Sequence, residues 1–206
     1  MNAPELLKTE ADNCDAQSGL SPAPCSASFQ RIWAMPSADT LSVPEIGDWV
    51  KKYARHAKAI VDPFARNSRV GKWRNDLNPE TAAEYHMDAL DFLKRLKDEG
   101  VKADLCIFDP PYSRQQVKQV YDGIGRHYGL KDTQDHSTNW RAERDALNEI
   151  MDENGIVLSF GWNSCGMGKE RKYDFVDVLM CYHGGAHNDT LCIAERKRPN
   201  YQGALL

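Results

Sequence analysis

Asp104-Leu-Cys-Ile-Phe-Asp-Pro-Pro-Tyr-Ser113 is an apolar run that ends abruptly at two prolines. A short apolar run bounded by turn residues predicts a strand buried on both faces, here over 103–108. Consecutive prolines fix φ and remove two N–H donors. Asp109-Pro110-Pro111-Tyr112 therefore leaves the strand as a rigid loop presenting a carboxylate, carbonyl oxygens and one aromatic face. Ligands of open α/β sheets bind beyond the carboxyl ends of strands, so the tetrapeptide stands where a site is expected. Acceptors beside an aromatic platform suit a planar ligand bearing an amino group, such as an extruded nucleobase.

Working outward, short apolar runs alternate with helical stretches from residue 31 on, which predicts an α/β domain with a mainly parallel sheet. Strands are expected at 31–34, 58–61, 72–75, 85–87, 103–108, 155–160, 175–182 and 190–195. Pro44 at a first-turn position and the spacing of Ile46, Trp49, Val50 and Tyr53 predict a helix over 44–55. Asp88 is a candidate N-cap for a helix over 89–98, whose Leu90, Leu93 and Leu96 face inward and which Gly100 ends. Segments 114–126 and 138–152 also read as helices. His183-Gly-Gly-Ala-His-Asn-Asp189 is too short for a crossover, so the last two strands must form an antiparallel hairpin.

The chain has 206 residues, with 26 Lys+Arg against 30 Asp+Glu and a formal charge of -4. No apolar run approaches the roughly 20 residues of a spanning helix, and MNAPELLKTEADN lacks a basic then apolar leader, so a cytoplasmic protein is expected. Six cysteines include no CxxC pair and read as reduced thiols. Residues 1–29 hold four acids against one base and few large apolar side chains, which predicts a poorly ordered acidic tail. Residues 30–206, with 25 bases against 26 acids, form one nearly neutral domain. A monomer or weak homodimer is expected.

The loop has a definite chemical use. An exocyclic amine on a purine or pyrimidine is a poor nucleophile because its lone pair is delocalised into the ring. With one N–H given to the Asp109 carboxylate and one to the Pro110 carbonyl, the nitrogen is drawn toward tetrahedral geometry and its lone pair turns to an electrophile. Tyr112 would stack on the ring, and the rate gain would come from orientation and electrostatics. Neither a covalent intermediate nor a metal is needed.

At these residues the chain resembles the S-adenosylmethionine-dependent amino-methyltransferases of DNA, in particular the compact adenine-N6 enzymes of phages and prophages. The resemblance covers most of residues 31–198 and implies a Rossmann-like methyltransferase domain: a mainly parallel sheet, helices on both faces, a terminal antiparallel hairpin. Asp109-Pro110-Pro111-Tyr112 resembles the catalytic motif, whose leading Asp implies adenine N6 over cytosine N4. Ile60-Val-Asp62-Pro63-Phe64-Ala-Arg-Asn-Ser68 resembles the first cofactor motif. Asp76, in Asn75-Asp-Leu-Asn-Pro79, takes the place of the acid that binds the cofactor ribose. Met87 and Asp88, within 85–92, match the pair that flanks the cofactor adenine, and 35–52 matches the methionine-contact segment. The implied cofactor is S-adenosyl-L-methionine and the implied partner double-stranded DNA with an adenine flipped out. Residues 113–150 remain for target contact.

The sequence departs from the pattern where the first cofactor turn usually carries glycines. Here Arg66, Asn67, Ser68 and Arg69 precede the first glycine, Gly71, and too few residues separate the first two core strands for a full crossover helix. An open cofactor pocket is expected. Arg66, Arg69 and Lys72, with Lys169 and Arg171, follow strand ends and are the candidate phosphate contacts. Cys181, His183, His187 and Asp189 have metal-type side chains, but lack a second ligand pair of recognisable spacing, so a hydrogen-bonded turn is expected and no metal. Ser159-Phe-Gly-Trp-Asn-Ser164 follows a strand and is expected to shape the wall of the base pocket from that strand end. The competing readings are transfer to cytosine N4, RNA adenine or a protein amide on the same fold, an inactive nucleic-acid-binding relative, or a metal-dependent enzyme built on His183 and His187.

Overall fold

The computed structural model describes residues 27–126, 140–163, 166–185 and 187–199. Seven strands form one sheet: β1 (Ser28–Trp33), β2 (Ile60–Asp62), β3 (Trp73–Arg74), β4 (Ala103–Phe108), β5 (Met151–Gly161), β6 (Tyr173–Tyr182) and β7 (Thr190–Lys197). Among the described residues four α-helices accompany it: α1 (Pro44–Ala54), α2 (Ala89–Asp98), α3 (Arg114–Gly123) and α4 (Arg141–Ile150).

The strand order is β1-β6-β7-β5-β4-β2-β3, and every neighbouring pair is parallel except those made by β7. Six carboxyl ends therefore share one rim. From β2 the chain steps outward to β3, then returns past β2 to place β4 on its other side, so the carboxyl ends of β2 and β4 flank a topological switch point. This is the expected Rossmann-like, doubly wound sheet, whose other wing carries the antiparallel β6–β7 hairpin with β1 at its edge.

Alternation along β4 fixes the two layers. Leu105 and Ile107 pack with Ile46, Trp49 and Val50 of α1 on one face. Cys106 and Phe108 pack with Phe92, Leu93 and Leu96 of α2 and Ala146, Leu147 and Ile150 of α4 on the other. Phe92, Leu93 and Leu96 are fully buried, each contributing roughly 2 kcal/mol. Pro44 opens α1, and the Asp88 carboxylate caps α2 by accepting from Leu90 N at 2.9 Å.

Several expectations shift. The strand expected at 85–87 reduces to a single bridge between Asn75 and Tyr85, because the chain there turns to serve loop contacts. The first strand begins at Ser28, inside the expected tail, because it pairs with β6 from Asp177 upward. Residues 1–26 of that tail lie outside the described residues. The expected 138–152 helix gives way to β5 at Met151, and the polar run Asp152-Glu153-Asn154 belongs to that strand. Within the segment assigned to target contact, α4 is part of the core, while 127–139 lies outside the described residues. The β2–β3 connection carries no helix, as expected from its length. No described helix is long and apolar enough to cross a membrane.

Candidate active site

The Asp109 loop is held at both ends. Ser113 caps α3 by accepting from Gln116 N at 3.2 Å, and Gln116 Oε1 accepts from Tyr112 N at 2.6 Å. Trp140, entering α4, donates its Nε1–H to Pro111 O at 3.3 Å. Burial pushes the Asp109 carboxyl up to about 6, opposed by the hydroxyls of Tyr112, which donates to it, and of Thr40; Asp39 raises it further and Arg66 lowers it.

Tyr112 is placed differently from the expectation of an open stacking face. Its hydroxyl donates to Asp109 Oδ1 at 2.5 Å and is 2.8 Å from Thr40 Oγ1. Its ring packs against the α1-side core and meets Trp162 edge to face at 5.6 Å. Trp162 follows β5, 41% exposed. It is the open aromatic surface beside the loop.

At the neighbouring end of β2, Asp62 is buried. Its Oδ1 accepts from Phe64 N at 3.3 Å, while Oδ2 has no partner. Burial, with the nearby charges of Asp109 and Asp76, pushes this carboxyl well above the usual range. Phe64 stands edge-on between Phe108 at 5.3 Å and Trp140 at 5.2 Å. Asp76 accepts from Arg66 N at 3.0 Å and Asn78 N at 2.9 Å. The first bond matters because Arg66 has φ +48, the left-handed region that glycine favours. Asp76 thus holds a non-glycine turn in the conformation the expected glycines would adopt. Four-site acceptance by a carboxylate still leaves Asp76 room for a ligand hydroxyl.

Asn75 ties these parts together, and the sequence reading did not single it out. Its Nδ2 donates to Pro63 O at 3.1 Å and Met87 O at 3.0 Å, and its Oδ1 accepts from Met87 N at 3.1 Å. Asp62, Pro63, Phe64, Asp76, Met87 and Asp88 are thereby gathered around the carboxyl ends of β2 and β3. The available signal was a polar side chain inside a short strand. Thr40 and Trp140 were also missed, since their partners lie 72 and 29 residues away.

The basic candidates separate. The Arg66 guanidinium donates to Ala38 O and lies near Asp109. Arg69 is exposed in the β2–β3 connection. Lys72 precedes β3 at its amino end, with Nζ 4.2 Å from the Trp73 ring. Lys169 and Arg171 lead into the amino end of β6, because the β5–β6 connection descends the face before the strand begins. Arg171 is engaged by Asp145, Glu170 and Met167 O, each at 2.8 Å. The structure therefore brings Arg66, and not Lys72, Lys169 or Arg171, beside the Asp109 loop. His183 is a clamp: Nδ1 is 2.8 Å from Ala34 O and Nε2 2.9 Å from Thr190 Oγ1, which ties the hairpin to the end of β1.

No family model and no curated protein matches the chain. Among solved structures it is similar to the SAM-dependent methyltransferase from Agrobacterium tumefaciens, at 14% identity over 74% of this chain and 60% of that one, with a TM-score of 0.45. It is also similar to NSun6 from Pyrococcus horikoshii with SFG, at 14% identity over 71% and 51% and a TM-score of 0.43. For TrmN from Thermus thermophilus the identity is 13% over 78% and 50%, with a TM-score of 0.45. The chain spans about half to three fifths of the length of these structures.

Proposed function

We propose that the chain is a methyltransferase that uses S-adenosylmethionine. The particular reaction we propose is transfer to N6 of an adenine flipped out of DNA. The observation that carries this reading is the juxtaposition of a rigid Asp-Pro-Pro-Tyr loop at the end of β4 with an acid-lined turn at the end of β2, across the switch point.

The residues present fit the cofactor. Asp62 has a buried oxygen without a partner, suited to an amino group or ordered water, Asp76 retains acceptor capacity for a ribose hydroxyl, and Phe64 and Met87 supply apolar walls. Bound there, S-adenosylmethionine supplies an electrophilic methyl group. The chain's own contribution is to bind and orient the acceptor. Asp109 and the Pro110 carbonyl accept the two amine N–H bonds, Tyr112 holds the carboxylate, and the open face of Trp162 fixes the base plane. On methylation the donor would leave as a neutral thioether, and the proton that the amine nitrogen must shed would pass to the Asp109 carboxylate beside it.

The test is nucleoside mass spectrometry and methylation-aware sequencing of DNA from a methylation-deficient host expressing the chain or its Asp109→Ala variant. N6-methyladenine should rise in DNA with the wild type and vanish with the variant. A rise in N4-methylcytosine, or in RNA alone, would reassign the acceptor, and activity that survives Asp109→Ala would overturn the mechanism.

A further inference from the structure

A phenol carries one hydroxyl proton. Tyr112 gives its proton to Asp109 Oδ1, so at the 2.8 Å contact with Thr40 the tyrosine oxygen must accept. The direction of the chain is thereby fixed: Thr40 O–H to Tyr112, then Tyr112 O–H to Asp109. Thr40 opens a short 3-10 turn, Thr40–Ser42, capped by Asp39, whose Oδ1 accepts from Leu41 N at 3.2 Å. One residue before the cap, the Ala38 carbonyl accepts from Arg66. The segment between β1 and α1 is thus gripped twice, by the turn after β2 and by the loop after β4.

We propose that Thr40 is a positioning residue for the acceptor site, setting the orientation of Tyr112 and, through it, the Asp109 carboxylate. The inference rests on the methyltransferase reading above for its kinetic consequence only. With Oδ1 held by Tyr112, the orientation of the whole carboxylate toward a substrate amine depends on that bond, and small errors of aim are expensive in orientation-driven reactions. The charged and titratable groups around Asp109 are Asp39 on the turn, Asp62 on β2, Arg66 after β2 and Tyr112 itself, with Cys192 of β7 facing Tyr112.

Thr40→Val removes the hydroxyl at nearly constant volume, and Thr40→Ser keeps it. Two readouts are needed. The first is the carboxyl-carbon NMR titration of Asp109, assigned by its loss in Asp109→Asn. Its midpoint should move up in Thr40→Val, because a hydrogen bond that stabilises the ionised form is weakened, and return in Thr40→Ser. The second is methyl transfer to DNA. Here kcat should fall about tenfold in Thr40→Val with KM for S-adenosylmethionine unchanged, and recover to within about twofold in Thr40→Ser. An unmoved midpoint in Thr40→Val, or a Thr40→Ser chain as impaired as Thr40→Val, overturns the proposal. If Thr40→Val does not fold, Tyr112→Phe cuts the same chain one link nearer the carboxylate and must raise the midpoint, or the proposal fails. A wild type that transfers no methyl group would defeat the functional reading, while the titration would still decide the relay.

Discussion

Asp177→Asn is expected to destabilise the fold by about 3 kcal/mol. The carboxylate is 1% exposed at an irregularity in β6 and collects four donors. Ser28 Oγ reaches it from β1; Trp49 Nε1 at 2.9 Å, Lys52 Nζ at 2.9 Å and Tyr53 OH at 3.0 Å reach it from α1. The amide conserves shape but removes the charge and turns two N–H groups toward donors. Lys52 is half exposed and can turn to solvent, whereas the Trp49 indole N–H is buried and would be stranded. Each hydrogen bond to a charged group contributes roughly 1.5 kcal/mol and the four share one acceptor, so about 3 rather than 6 kcal/mol is the expected sum. In urea, at a slope of about 2 kcal/mol/M, the midpoint should fall by about 1.5 M with the slope unchanged.

The pH dependence gives a second handle on the same pair. Hydrogen bonds from Ser28, Lys52, Trp49 and Tyr53 outweigh burial and hold the Asp177 carboxyl below its ordinary value. A depressed folded value means stability that is present above the ordinary carboxylate range and lost as pH falls through the folded value. The difference between wild type and Asp177→Asn should therefore be full at pH 7 and shrink below about pH 4. A difference under about 1 kcal/mol at pH 7, or one that does not shrink in acid, would refute the reasoning.

Asp109, raised to about 6 mainly by burial, must be ionised to accept an amine proton. Methyl transfer should therefore rise with pH through about 6 and level above it, and a rate independent of pH between 5 and 7 would count against Asp109 as the acceptor. Asn75→Ala strands the Pro63 and Met87 backbone groups that its amide joins. The variant should lose about 2 kcal/mol of stability in urea and bind S-adenosylmethionine about tenfold more weakly by calorimetry, whereas unchanged binding would remove Asn75 from the cofactor frame.

What the sequence revealed follows the reach of its signals. Periodicity and proline chemistry act within a few residues, so β4, its loop, α1, α2 and the terminal hairpin could be read directly. Asp62, Asp76 and Asp88 stood at element ends, where a local pattern also speaks. The remainder depends on contacts between distant segments. Asp177 looks like one acid in a polar-alternating strand until α1 brings three donors to it from 124 to 128 residues away. Lys169 and Arg171 were assigned to the wrong rim because distance after β5 says nothing about where β6 begins. The left-handed Arg66 is the inverse case: the missing glycine was visible, but not the Asp76 carboxylate that offsets the strain.

That local arrangement bears on the charge of the ligand. The net charge of -4 sits largely in residues 1–29, yet the switch point itself is acidic: Asp39, Asp62, Asp76 and Asp109 converge there, with Arg66 among them. Such a field disfavours phosphate at the centre of the site and favours a cation. S-adenosylmethionine carries a sulfonium and an ammonium against one carboxylate, so the raised carboxyls of Asp62 and Asp109 would be relieved by its binding. The proposed cofactor and acceptor then divide the site by charge, the sulfonium among the carboxylates and a neutral base against Trp162. The burial that makes ionised Asp62 unfavourable alone is, on this reading, what makes the site selective for a positively charged donor.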